Sequence, residues 1–221
     1  MSEHRMIRVT GKGLLRLRPD TTQIGINLSD LCPDYGGALR RSAEDTDRLK
    51  SALEPFGFAR EDLKTVNFHV DAEYEGYQEE GVYKQRFVGS RFQHALRVSF
   101  PSDNDRLDKV LRALAGSGVS PEIGLSYTVK DTEAAKNALL SKAVTDAAEK
   151  ASVLARAAGV ELGEIETIDY SRAQIDFVAR PMNRMMKAEE MDMAAGAMYA
   201  PDIQPDDISV EDTVTVTWRI E

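Results

Sequence analysis

Ser141-Lys-Ala-Val-Thr-Asp-Ala-Ala-Glu-Lys-Ala-Ser-Val-Leu-Ala-Arg-Ala-Ala-Gly-Val-Glu-Leu-Gly163 is the run that decides the fold: an alanine-rich helix, a glycine stop and the start of an apolar strand. From about Thr132 to Ala158 strong helix formers dominate, and neither Gly nor Pro intervenes. Leu140, Val144, Ala147, Ala151, Leu154 and Ala158 recur at spacings of three and four, so the expected inward stripe is mostly alanine. Small side chains let a helix lie close to its neighbour. The helix is therefore expected flat against a sheet, with Lys142, Asp146, Glu149, Lys150 and Arg156 toward water. Asp131 or Thr132 is placed to cap the first turn, and Gly159 to take the left-handed position past the last. At a rise of about 1.5 Å per residue, such a helix spans roughly 40 Å and is a principal scaffold element.

Outward from this helix the chain alternates strands and helices. Ile7 to Leu15 and Thr21 to Leu31 read as strands, with Arg18-Pro19-Asp20 between them. A helix from Gly37 to Phe56 follows, with Leu39, Ala43, Thr46, Leu49, Leu53 and Phe56 on one face and Gly57 as its stop. Leu63 to Tyr74 and Val82 to Phe100 read as long antiparallel strands around a polar turn at Gln78-Glu-Glu-Gly81. Phe92, Leu96, Val98 and Phe100 share a face there, and Tyr74, Tyr77, Tyr83 and Phe87 add aromatic content. Ser102 is expected to cap a helix ending at Gly116, with Leu107, Val110, Leu111 and Leu114 inward. Val119 to Lys130, Glu164 to Tyr170 and Ser209 to Ile220 supply further strands. The expected class is α+β, mainly antiparallel sheets with helices packed on one face, in two α/β halves.

Three blocks together resemble the SIMPL-domain family, the YggE-like proteins catalogued as a domain of unknown function. They are Ile7-Arg-Val-Thr-Gly-Lys-Gly-Leu-Leu-Arg-Leu-Arg-Pro-Asp-Thr-Thr-Gln-Ile-Gly-Ile26, the helix ending Ala157-Ala-Gly-Val-Glu-Leu-Gly163, and Pro205-Asp-Asp-Ile-Ser-Val-Glu-Asp-Thr-Val-Thr-Val-Thr-Trp-Arg-Ile220. Two positions depart from the family pattern: Asp206 or Asp207 stands where the last block usually has Gly, and Thr22 where the first usually has Ala. The resemblance implies one SIMPL-like domain over residues 1–221, with sub-halves at 1–101 and 102–221. It also implies a tendency to higher oligomers and a loose association with stress tolerance, and it carries over no catalytic motif.

Composition narrows the partners. The 221 residues hold 28 basic and 37 acidic side chains, a net charge of −9, and no basic stripe with interleaved aromatics, which argues against nucleic acid. Met1-Ser-Glu-His-Arg-Met leads straight into the first strand, without a signal-peptide pattern or a bilayer-length apolar run. The expectation is a cytoplasmic protein with no membrane insertion, although many family members are exported. One cysteine, Cys32, excludes an internal disulfide and fits a reducing compartment.

Isolated candidates for chemistry each have a plainer reading. Gly11-Lys-Gly13 lacks the third glycine and following helix of a phosphate loop, so a bulge or close crossing explains it better. His69 is expected on a polar face with Asn67 and Asp71, and His94 partly buried and hydrogen-bonded. With His4 they form no metal-binding spacing, and no catalytic residue or cofactor is assigned. Cys32 reads as a structural thiol. Asp30, Asp34, Glu44, Asp45 and Asp47 read as a solvated helix start.

The segment 171–205 breaks the pattern, and a loop this long is usually functional or disordered. It carries Met182, Met185, Met186, Met191, Met193 and Met198. A loop covering a neighbouring surface is the plain reading; adaptable thioethers at a subunit contact are the second, and soft-metal binding the third, weakened because no Cys or His lies nearby. Two functions follow. The leading one is a non-enzymatic, self-assembling homo-oligomer, and the other a small-molecule-binding or hydrolytic domain with its pocket between the halves.

Overall fold

The computed structural model describes residues 5–171, 175–180 and 204–221. Among them run β1 (Met6–Leu17), β2 (Thr21–Cys32), α1 (Tyr35–Leu53), β3 (Lys64–Glu79), β4 (Val82–Pro101), α2 (Asn104–Ala115), β5 (Glu122–Thr128), α3 (Thr132–Ala158), β6 (Leu162–Asp169), β7 (Val178–Ala179) and β8 (Ile208–Ile220). The fold is α+β with antiparallel pairing. Two compact units share the chain. One takes the chain up to Asp20, Thr128–Ala179 and Asp206–Glu221, and the other Thr21–Tyr127. The division does not fall at residue 101: β1 and β2, adjacent in sequence, enter different sheets.

In the α3 unit the strand order is β1-β8-β6, with Val9 opposite Val216 and Gly11 opposite Val214. Alternation along β8 turns Val210, Val214, Val216 and Trp218 toward α3. The helix runs over the expected residues, capped by Asp131 (2.8 Å from the Ala134 amide) and ended by Gly159 at φ 71°. Its buried stripe differs from the expected one. Ala135, Leu139, Ala143, Ala147, Ala151 and Ala155 point inward at steps of four, whereas Leu154 and Ala158 are exposed.

The reason lies in β1. A Cβ built on Gly11 would overlap the Ala143 carbonyl oxygen and come within 2.7 Å of the Ala147 Cβ, and one on Gly13 would overlap the Leu139 carbonyl oxygen. Strand and helix backbones touch, so the helix presents the row whose side chains are shortest there. The Gly-Lys-Gly motif is thus the close crossing that its spacing indicates. Asp146, expected in water, closes the outer edge of β1: its carboxylate accepts from the Lys12 amide at 2.6 Å and pairs with Lys150 at 2.7 Å. The Lys150 hydrogen bond, then that of the Lys12 amide, holds the Asp146 carboxyl below its usual range. Part of the expected loop at 171–205 also joins this core. Phe177 is buried with Leu139, Ile208 and Val210, and its carbonyl accepts from Thr128 Oγ1 at 2.6 Å.

In the other unit the strands run β3-β4-β2-β5, with α1 and α2 over one face. Ile24, Ile26, Leu28, Phe92, Leu96, Val98 and Phe100 meet Leu49, Leu53, Leu107, Val110 and Leu114 in one core. Asp103, not Ser102, caps α2, accepting from the Arg106 amide at 2.8 Å. The inward face of α1 is Ala38, Ser42, Asp45, Leu49 and Leu53, while Leu39 and Ala43 are exposed. Ser42 and Asp45 thus turn inward where Ala43 and Thr46 were expected, while Leu49 and Leu53 are inward as expected.

Candidate functional site

The β3–β4 hairpin is the feature that the packing of its unit does not account for. Strands in globular proteins run about 5–6 residues, whereas these have 16 and 20. Only their inner parts lie under α1. From Tyr74 round to Val88 every residue is exposed. The turn is made by Glu80 and Gly81, both at positive φ (51° and 79°), which is the type I′ geometry whose twist suits a two-residue hairpin. The register then sorts the arm into two faces. Glu75, Tyr77 and Glu79 share one with Val82, Lys84 and Arg86, tied by Arg86–Glu75 and Lys84–Glu79 ion pairs at 2.6 and 2.7 Å.

The opposite face carries Tyr74, Gly76 and Gln78 against Phe87, Gln85 and Tyr83, without a formal charge. Tyr74 and Phe87 meet edge to face at 5.8 Å. The Tyr83 ring lies across Gly76, where a Cβ would stand 2.6 Å from the ring carbon Cζ. Tyr83 is 74%, Tyr74 60% and Phe87 50% exposed. An isolated two-stranded ribbon is marginal in water, and exposed aromatic clusters mark contact surfaces. Alternation in the sequence places these aromatics in the strands but not on an uncovered arm; the available signal is that the strands far outrun the helix above them.

A second polar cluster lies between α1 and the sheet. His94 is engaged at both nitrogens, by Ser42 Oγ at 2.9 Å from Nδ1 and Thr65 Oγ1 at 2.8 Å from Nε2. Phe68 packs edge-on at 5.0 Å. The partly buried, hydrogen-bonded histidine expected from the sequence is what stands here. Burial, and then Lys50, push its pKa below the ordinary value. Asp45, expected in solvent, is 4% exposed. Its Oδ2 lies 3.1 Å from Arg41 Nε, and its Oδ1 has no hydrogen-bond partner among the described residues. With every nitrogen of His94 committed to a hydroxyl, this cluster fixes how α1 sits on the sheet.

The histidine gives a pH test. Its folded pKa lies below its unfolded one, so on acidification the unfolded chain takes up the proton first. The contribution is complete above the ordinary histidine value and is lost as pH falls from there toward the folded value. The melting temperature is expected to fall between pH 7 and pH 5, and to fall less in His94→Gln, which keeps amide hydrogen bonds but does not titrate. Equal slopes in the two proteins would remove His94 from the explanation.

The other sequence candidates divide plainly. His69 lies beside Asn67 and Asp71, at 3.4 Å from the Asn67 Nδ2 and 3.6 Å from the Asp71 carboxylate, as expected. Cys32 is buried, and burial, then Asp30, push its thiol up, away from nucleophilic chemistry. Met182, Met185, Met186, Met191, Met193 and Met198 lie outside the described residues. Among the described residues no group of three His, Cys, Asp or Glu side chains is placed to hold a metal, and no helix is long and apolar enough to cross a membrane.

The sequence is similar to those of known proteins. The family model described as "SIMPL: Protein of unknown function (DUF541)" matches residues 7–218. The "Uncharacterized protein YggE" of Escherichia coli K12 is 23% identical over 92% of this chain and 78% of its own length. The "26 kDa periplasmic immunogenic protein" of Brucella melitensis is 25% identical over 84% of this chain and 75% of its own. A solved structure described as a Bacillus cereus protein related to NIF3 aligns over 74% of this chain and 40% of that one at 9% identity. Its TM-score of 0.22 carries no argument.

Proposed function

For this chain, which belongs to the SIMPL family of proteins of unknown function, we propose a self-assembling, non-catalytic role in which the β3–β4 arm is the contact element. The observation that carries the reading is the uncharged aromatic face formed by Tyr74, Tyr83 and Phe87. A second copy is the occupant that fits. The chain's net charge of −9 opposes self-contact through most of its surface, and this face is free of formal charge. Two copies can stack these faces across a two-fold axis, in a self-complementary contact that buries the aromatic rings of both.

Burying three aromatic rings per copy supplies several kcal/mol against the cost of association. The test is the solution mass of Tyr83→Lys/Phe87→Lys beside the unaltered chain. The unaltered protein is expected at a multiple of 24.5 kDa at micromolar concentration, and the double variant at a single chain mass with unchanged circular dichroism. An unaltered chain that is monomeric under these conditions would end the reading. Location belongs to the same proposal. The lone buried Cys32 suits a reducing compartment such as the cytoplasm, while the Brucella relative's description as periplasmic favours export.

A further inference from the structure

The face of the β3-β4-β2-β5 sheet turned away from α1 and α2 holds an ordered polar grid. Register places Asn27, Ala95 and Asn67 in one row across β2, β4 and β3, and Ser29, Gln93 and His69 in the next. Neighbouring strands stand about 4.8 Å apart, so these side chains form a two-by-three array. Ala95 is the short residue at the middle of its row. The longer side chains around it leave a concavity of about 350 Å³, with Glu122 of β5 on its rim. Ligand sites start at about 300 Å³. The Asn67 amide lies 3.4 Å from His69 Nδ1, and the Asp71 carboxylate 3.6 Å from its Nε2. Asn27, Ser29, Gln93 and Glu122 find no side-chain partner among the described residues, which leaves their donors and acceptors directed outward.

The geometry points to a binding site for a small, neutral, polyhydroxylated ligand, a monosaccharide or polyol unit. The lining itself holds no Lys or Arg, the nearest cations on this face, Arg97 and Lys64, standing one row further along, and Glu122 on the rim repels a phosphate or carboxylate. The lining also holds no Phe, Tyr or Trp face on which a flat apolar ring would stack. Instead each carboxamide presents a donor and an acceptor side by side, the pattern that a vicinal pair of hydroxyls satisfies. Glu122 adds an acceptor with two oxygens, and Ser29 a hydroxyl that serves either way. This site is separate from the arm and does not depend on self-assembly.

The experiment titrates the full chain with glucose, mannose, galactose and sorbitol, with glucose 6-phosphate and benzoate as contrasts, followed by calorimetry and amide chemical shifts. At least one neutral sugar or polyol is expected to bind with a Kd of about 1 mM. Ala95→Leu, which fills the dent from the open face of the sheet, should weaken that binding by about tenfold or more with the melting temperature unchanged. Gln93→Ala should weaken it by roughly fivefold through the lost carboxamide. Binding by no neutral member of the panel overturns the assignment, as does binding that survives Ala95→Leu or that is matched by the phosphate ester or benzoate.

Discussion

Gly11→Ala is expected to destabilise the α3 unit by about 3 kcal/mol or more, the upper range for forcing extra volume into a packed interior. The added methyl has nowhere to go. It would overlap the Ala143 carbonyl oxygen and the Ala147 nitrogen, which are backbone atoms of a 27-residue helix and not the far end of a movable side chain. Relief requires α3 to lift off β1, which separates Val9, Val214, Val216 and Trp218 from Ala143, Ala147 and Ala151 and also pulls Asp146 from the Lys12 amide. Trp218 is the chain's one tryptophan and sits in that cluster, so its fluorescence during urea unfolding reports on this unit. Gly124→Ala is the control, because a Cβ placed there meets no atom within 4 Å and the backbone at that position is not left-handed. A Gly11→Ala protein as stable as the Gly124→Ala protein would show that the backbones are not in contact.

That contact also shows where the sequence stops being legible. Helix propensity, the aspartate cap and the terminal glycine locate α3 from Thr132 to Ala158 because they are local properties of the chain. Which side of the helix is buried is not local. A stripe through Leu140, Val144 and Leu154 contains more apolar area than the alanine row, yet the glycines of β1, more than a hundred residues away, select the row that permits closest approach. The same limit applies to α1, where His94 from β4 receives Ser42 and turns Leu39 outward. Strand pairing is readable as alternation, and the hairpin turn as Gln78-Glu-Glu-Gly81. The polar grid around Ala95 is not, because Asn27, Asn67 and Gln93 become neighbours only through register across three strands. Exposed aromatics on the arm carry the same alternation as core aromatics, and only the absence of a helix above them separates the two.

Excising Glu75 to Arg86 and closing Tyr74 to Phe87 through an Asn-Gly turn is expected to leave the monomer's unfolding free energy within about 0.5 kcal/mol while abolishing assembly. Tyr74 and Phe87 are directly paired, so the shortened hairpin keeps its register and a type I′ closure remains available. All the excised residues are exposed and belong to no core cluster, so their loss removes little buried apolar area from the folded chain. The ion pairs that go with them, Arg86–Glu75 and Lys84–Glu79, join side chains about half exposed or more, a class that contributes about 0–1 kcal/mol. A stabilising internal role for the arm predicts a clear drop in the urea midpoint, whereas a contact role predicts an unchanged midpoint at low concentration and a solution mass reduced to one chain. Retained assembly in the excised protein would move the contact away from the arm. A lowered midpoint with the mass unchanged would make the arm part of the scaffold. The two readouts are independent because one follows the chain's own core and the other follows only what a second copy can cover.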